Sequence, residues 1–218
     1  MTIKHHLTES LLMGYAAGSL PEAFNLVVAS HVSLCDDCRA AVESYEALGG
    51  AVLDDAQVAM AEDGLADCLA RLETAAAEVE TAPPAPRSAN QAHSLPAPLR
   101  DYVGGDMDAI RWRPVGGGVK QAILRTSESA SARLLFIPAG SAVPDHGHRG
   151  VELTMVLQGA FADATDRFAR GDVEIADEDL EHTPIADIGA DCICLAATDA
   201  PLRFRSLIPR LLQPFLKI

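Results

Sequence analysis

The sequence has few aromatic residues, no long apolar run and little positive charge. Phe, Trp and Tyr make up only 5% of its 218 residues. No stretch approaches the roughly 18–20 apolar residues that a membrane-spanning helix needs, and the short run that begins at Phe24 ends at His31. The N-terminus also lacks the apolar core and cleavage site of a secretory signal peptide. We therefore expect a cytoplasmic protein with no membrane segment.

The acidic charge is concentrated near the N-terminus. Residues 1–82 carry three Lys or Arg and 14 Asp or Glu, a net charge of −11, whereas the whole chain has a net charge of −14. Proteins bind nucleic acid mainly through Lys and Arg that neutralise its phosphates, so this composition argues against direct binding to DNA or RNA. It favours a basic protein as partner, although solvated helix faces would produce the same charge.

Five cysteines are present, and thiols stay reduced in the cytosol. They are therefore interpreted as metal ligands or core residues, not as a disulfide framework. Cys68 is expected to be packed in a helix. Cys192 and Cys194 alternate on one strand and are expected to be small core residues that line a barrel, with a redox pair as the less favoured alternative.

A segment rich in Pro and Ala, from Thr81 to Pro98, divides the chain. Its composition is typical of a semi-rigid linker, although a long surface loop within one domain would have a similar composition. We predict an N-terminal domain over 1–82, a linker over 83–98 and a C-terminal domain over 99–218.

The pattern before this linker is helical. Leu7, Leu11 and Tyr15 recur at helical spacing, and Thr8 is a suitable N-cap for the first helix. Three further helices are expected: from Pro21 to about Ser33, from Cys38 to Gly49-Gly50, where the glycines would end it, and from about Asp55 to Glu80.

The pattern after the linker is strand-like, with Gly and Pro at short intervals, which favours an antiparallel barrel or sandwich. The clearest strand candidates are Lys120–Arg125, Ala132–Ile137, Glu152–Leu157, Asp191–Ala196 and Leu202–Ile208.

A first metal site is indicated by His31, Cys35 and Cys38, which offer one imidazole and two thiols within eight residues. Structural zinc takes four nitrogen or sulfur ligands, and a helix N-terminus favours the thiolate form that binds metal. The fourth ligand would come from His5 or His6, and we choose His6. A redox Cys pair is the alternative, but the βαβ context of such pairs is missing.

A second metal site is indicated by His146, His148 and Glu152, whose spacing places them on one side of neighbouring strands. His182 could complete the set from an opposing strand. Three His and one Glu suit several first-row metals, so we expect a divalent ion there and choose zinc.

These two sets of residues resemble known families. The His-x3-Cys-x2-Cys motif in a short acidic helical module resembles the zinc-binding anti-sigma domains, in which three helices surround zinc and a fourth reaches the partner. The run from Gly140 to Gly159 resembles the first cupin motif in every element. The second cupin motif is matched by Gly171 and His182, but its usual Pro, Gly and Asn are Asp177, Asp179 and Ala186.

Together the two modules resemble the ChrR-type zinc-binding anti-sigma factors, over nearly the whole chain. The resemblance implies an α + β two-domain fold: a small zinc-bound helical bundle followed by a cupin β-barrel of the jelly-roll type. It implies a non-enzymatic protein that binds an extracytoplasmic-function sigma factor in a 1:1 complex and releases it on a signal, such as singlet oxygen or related reactive species, sensed by the cupin.

Two other functions compete with this interpretation. A cupin metal site could belong to a dioxygenase-like enzyme with an accessory zinc module, although no acid–base pair can be assigned to a substrate. A DNA-binding zinc module is the third possibility, and its −11 charge argues against it.

Overall fold

The structure, a computed structural model, describes residues 2–56, 59, 61–78, 93–144, 146–147, 149–178, 180–200 and 203–204. It contains five α-helices: α1 Glu9–Ala16, α2 Glu22–Val32, α3 Asp36–Asp55, α4 Gly64–Glu78 and α5 Ala97–Val103. Among the described residues no helix has the length and apolarity needed to cross a membrane.

The helix starts follow their capping residues. The Thr8 side chain accepts a hydrogen bond from the backbone N–H of Leu11, and Pro21 is the N-cap residue of α2. The prediction that Gly49 and Gly50 end the third helix is wrong, because α3 continues to Asp55. Glycine lowers helix stability by about 1 kcal/mol relative to alanine, but neither glycine adopts the positive φ that would end the helix. The fourth helix consequently starts later than expected, at Gly64.

The C-terminal part is built from antiparallel strands. They are β1 Arg113–Gly116, β2 Val119–Leu124, β3 Ser131–Ile137, β4 His146–Gly147, β5 Glu152–Gln158, β6 Ala160–Ala162, β7 Arg167–Ala169, β8 Val173–Ala176, β9 Glu181–His182, β10 Ile185–Ala186, β11 Cys192–Thr198 and β12 Arg203–Phe204. A six-stranded sheet has the order β1-β2-β3-β11-β5-β8, and two three-stranded sheets have the orders β10-β6-β7 and β12-β4-β9. A helical N-terminal region followed by a cupin β-fold confirms the expected fold class.

Both faces of the six-stranded sheet are buried, each against a different partner. Leu153, Met155 and Leu195 point to one face and belong to the same apolar cluster as Phe24 and Val27 of α2. Alternate residues such as Val156 and Cys194 point to the other face and form a second cluster with Phe161. Because side chains alternate along a strand, α2 covers the outer face of the sheet, while the second cluster fills the inside of the barrel.

Contacts divide the chain into two compact units, one of Met1–Ala47 with His93–Ile218 and one of Leu48–Ala92. The N-terminal helices α1 and α2 thus share a unit with the cupin strands. At the end of the predicted linker, Leu95 is 3% exposed and α5 begins at Ala97. Residues 83–92 lie outside the described part, and the boundaries at 82, 83 and 98 stay predictions.

Candidate metal centres

The first candidate centre forms where α2 turns into α3. His31 lies in the last turn of α2, Cys35 precedes α3, and Cys38 lies in the first turn of α3. The backbone N–H groups of Leu34 and Cys35 both donate to the His31 carbonyl at 2.9 Å, which makes the connection tight. This local turn brings one imidazole and two thiols to the same place.

The ligand atoms of this centre lie close together. His31 Nε2 is 3.3 Å from Cys38 Sγ, and His6 Nδ1 is 3.3 Å from Cys35 Sγ and 3.5 Å from Cys38 Sγ. All four donor atoms fall within 4.8 Å of one another. The structure thus joins the four residues His6, His31, Cys35 and Cys38 into one cluster of two nitrogens and two sulfurs that could hold a metal ion.

Burial sets the protonation of the cluster. His31, Cys35 and Cys38 are buried. Burial lowers the pKa of His31 and so favours the neutral ring that binds metal. Burial, with the neighbouring Cys35, raises the pKa of the Cys38 thiol to about 11. A cation in the cluster would therefore displace thiol protons as it binds.

The two candidate histidines near the N-terminus have different surroundings. His6 faces the thiols, and its ring lies edge-on to that of His31 with centroids 6.1 Å apart. His5 instead packs on the ring of Phe168 and places Nε2 3.0 Å from a carboxylate oxygen of Asp166. This geometry supports the choice of His6 as the fourth ligand.

The cupin contributes contacts to this cluster. The Nδ1–H group of His31 donates to the backbone carbonyl of Gly171 at 2.8 Å. A carboxylate oxygen of Asp172 accepts the backbone N–H groups of Lys4 and His5, at 2.7 and 3.0 Å. With Nδ1 of His31 engaged in this way, Nε2 is the nitrogen directed at the thiols. Such an outer partner is usual for a metal-binding histidine, and the donor set fits zinc.

The second candidate centre lies in the barrel and is described in part. His146 and His182 are directly paired across β4 and β9. Glu152, at the start of β5, is buried, and its Oε1 accepts a hydrogen bond from the Thr154 hydroxyl at 3.0 Å. His148 and the side chain of His146 lie outside the described part, so the four-residue cupin set stays a prediction.

Two carboxylates that sequence reasoning missed contact His182. Its Nδ1 lies 2.9 Å from Asp163 Oδ2 and 3.1 Å from Glu174 Oε1, and all three side chains are buried. Burial disfavours the charged ring, but Glu174 and Asp163 outweigh this effect and raise the pKa of His182 to about 9. Burial raises the pKa of Glu174, whereas hydrogen bonds from Thr165 and His182 outweigh burial and lower that of Asp163. Since Nδ1 faces the carboxylates, Nε2 is the nitrogen that would bind a cupin metal.

Comparison with known proteins places the chain in a family. A family model for the ChrR cupin-like domain matches residues 101–200. An anti-sigma-E factor ChrR from Cereibacter sphaeroides is 58% identical over 219 residues, covering 100% of both chains. The chain belongs to the ChrR family of anti-sigma factors. In a crystal structure of Rhodobacter sphaeroides SigE in complex with the anti-sigma ChrR, the matched chain is 55% identical with a TM-score of 0.77, over 91% of this chain and 100% of that one.

The family membership confirms the resemblance drawn from the two metal motifs. The motifs could not reveal which residues neighbour the histidines in space. These neighbours are Gly171, Asp172, Asp163 and Glu174. Gly171 was noticed only as part of a cupin motif, and no local pattern marks Asp163. These residues meet the histidines through tertiary contacts, which spacing along the chain does not encode.

Proposed function

We propose that this protein is a cytoplasmic anti-sigma factor that binds an extracytoplasmic-function sigma factor in a 1:1 complex and releases it on a signal received by the cupin. The observation that carries the proposal is the match, at 55% identity over 91% of the chain, to the anti-sigma partner in a solved complex with a sigma factor. The full-length relative is also named as an anti-sigma factor.

Zinc at His6, His31, Cys35 and Cys38 would be structural. When bound, it supplies a tetrahedral cross-link with no open position. The buried residues of α1 and α2 belong to one apolar cluster with the cupin strands, and the free energy of metal binding would add to the stability of these helices. Cys38 and His31 then fix how α2 and α3 are joined.

The surface for the sigma factor includes the apolar side chains that the second compact unit exposes. Leu65, Leu69 and Leu72 share one face of α4, and each is more than half exposed. Leu48 and Val52 of α3 are also largely exposed. Apolar positions within a strongly acidic module suit a partner with a basic rim, because charge steers the encounter and apolar burial holds the complex.

The cupin would bind a divalent metal, zinc by our choice, through His146, His148, Glu152 and His182. The signal, singlet oxygen or a related reactive species, would change this site and lower the affinity for the sigma factor. If His146→Ala and Glu152→Ala each leave induction by singlet oxygen intact in cells, this part of the proposal fails.

The direct test of capture is a pull-down from the native bacterial lysate with the intact protein and Cys35→Ser as baits. A stoichiometric sigma factor on the intact bait alone supports zinc-dependent capture. Cys68→Ala is the matched control, because Cys68 lies exposed on α4 and is not packed as the sequence had suggested. If neither bait captures a sigma factor, the enzyme alternative is favoured. Oxygen uptake by the protein in the presence of metals would then test that alternative.

A further inference from the structure

The turn between β7 and β8, Ala169–Val173, contacts both chain segments that carry the N-terminal histidine ligands. The Gly171 carbonyl accepts the hydrogen bond from His31. Asp172 Oδ1 accepts the N–H groups of Lys4 and His5, and the Val173 N–H donates to the His5 carbonyl at 3.2 Å. The residue directly before His6 is therefore held at its N–H and at its C=O.

The turn is itself held by several hydrogen bonds. The other oxygen of Asp172, Oδ2, accepts the N–H of Ala169 at 2.8 Å. Gly171 N–H donates to the Val156 carbonyl at 2.8 Å, and Val156 N–H donates to the Asp172 carbonyl at 3.0 Å. Oδ1 thus holds the backbone of the N-terminal segment, whereas Oδ2 closes the turn and also lies 3.4 Å from Nδ1 of the His5 ring.

Gly171 fits this position because it has no side chain. Its φ is +91°, and a Cβ built there would meet two carbon atoms of Ile3 at 2.8 Å. Any other residue would strain the turn through this positive φ and would displace the end of the Ile3 side chain. Gly171 therefore combines the carbonyl that orients His31 with a close approach to the Ile3 side chain.

The turn also connects to the barrel site. Glu174 follows Val173 on β8, and its carboxylate contacts His182. Three consecutive residues, Asp172, Val173 and Glu174, therefore link the segment that carries His6 to the histidine of the cupin set. The other strand that pins the turn, β5, begins at Glu152.

We infer that the Ala169–Val173 turn is the positioning element of the N-terminal zinc site, and that a rearrangement around His182 reaches that site through it. Gly171 acts through His31, and Asp172 acts through the backbone of Lys4 and His5 directly before His6, which makes both positioning residues and not metal ligands. Losing such an outer-shell partner typically lowers metal affinity 10–100-fold. The inference rests on the zinc site of the proposed function. A link from this turn to release of the sigma factor would also rest on the proposal that the protein binds a sigma factor.

The test uses the full-length protein with Co²⁺ at the N-terminal site, where the thiolate-to-cobalt absorption reports on Cys35 and Cys38. Asp172→Ala should lower the affinity about 10-fold in competition with a chelator and change the cobalt spectrum. Asp172→Asn keeps an oxygen that can accept the N–H groups of Lys4 and His5, so its Co²⁺ affinity and spectrum should be closer to those of the wild type. Asp191→Ala is the control, because the Asp191 carboxylate accepts the N–H of Ala139 at a turn of the barrel and, among the described residues, has no contact with the N-terminal segment. An Asp172→Ala protein with wild-type affinity and spectrum overturns the inference.

A second measurement covers the case in which Asp172→Ala does not fold. Coupling between two sites is reciprocal, so Cys35→Ser should speed amide hydrogen exchange in Ala169–Val173 and leave Val119–Leu124 unchanged. Unchanged exchange in the turn would contradict the inference. Neither readout contains a sigma factor, so a failure of sigma-factor capture in the pull-down is distinct from a failure here.

Discussion

The imidazole of His31 and the backbone carbonyl of Gly171, 140 positions apart in the chain, are joined by a hydrogen bond of 2.8 Å. This contact fixes the tautomer of the ring, with the proton on Nδ1, and leaves Nε2 directed at Cys38 Sγ. A histidine at the end of a helix can rotate about its side-chain bonds. Here a carbonyl from the cupin selects the one orientation that suits a metal ion.

The first prediction concerns the thiols. Cys38→Ala should remove the N-terminal zinc after dialysis and reduce helical circular dichroism, because the metal contributes to the stability of that module. Elemental analysis with circular dichroism provides the measurement. Cys68→Ala should match wild type in both, and a Cys38→Ala protein that retains its zinc would rule out this site.

The second prediction separates the two neighbouring histidines. His6→Ala should weaken Co²⁺ binding by more than the roughly 10–100-fold typical of an outer-shell partner, because His6 faces both thiols. His5→Ala should have a smaller effect, since its ring contacts Phe168 and Asp166. Competition with a chelator measures the Co²⁺ affinity of both variants. A larger loss of affinity in His5→Ala than in His6→Ala would make His5 the ligand.

The third prediction concerns the carboxylates beside His182. Asp163→Asn and Glu174→Gln should each lower the cupin's metal affinity about 10-fold or more, because they orient the ring through Nδ1. Metal content after equilibrium dialysis should fall from two ions per chain toward one. Asp187→Asn is the control, since Asp187 pairs with Arg167 and not with His182; an equal loss there would mean general destabilisation.

The fourth prediction tests the exposed apolar face of α4. Leu69→Asp should raise the Kd for the sigma factor about 30-fold, which corresponds to about 2 kcal/mol, without lowering the protein's urea midpoint. Binding is measured with purified partners. Thr74→Ala, on the opposite side of α4, should leave the Kd unchanged, and a Leu69→Asp protein that binds normally would place the interface elsewhere.

The fifth prediction concerns pH. Burial opposes ionisation of Asp106, but hydrogen bonds from the N–H groups of Ser94, Leu95 and Met107 outweigh it and lower the pKa of its carboxyl. A lowered folded-state pKa gives stability that is present above the unfolded value of about 3.9 and is lost as pH falls through the folded value. Asp106→Ala should therefore cost about 1–3 kcal/mol near neutral pH. Urea unfolding should show this difference shrinking at acidic pH, and a pH-independent difference would show that the charge plays no part.

The sequence predicted the elements of the fold well where one local signal dominated. Thr8 capped its helix as expected, and the strand candidates around Leu134, Met155 and Leu195 all became central strands. At Gly49 and Gly50 the helical pattern of α3 conflicted with the tendency of glycine to end a helix, and the prediction gave the glycines too much weight. The short helix α5 was missed, because Pro96 and Pro98 suggested a linker.

The sequence by itself determined which thiols and imidazoles lie at ligand spacing, and that the two motifs on one chain point to one family. Local geometry is sufficient for that, because a helix turn or a strand pair places residues a few positions apart. Only the tertiary structure decided which histidine faces the thiols and that Asp163 and Glu174 contact His182. It also decided that the cupin turn at Gly171 contacts the cluster of His31, Cys35 and Cys38. Those contacts join residues far apart in the chain, and they form when the N-terminal helices bury their apolar face on the outer side of the sheet.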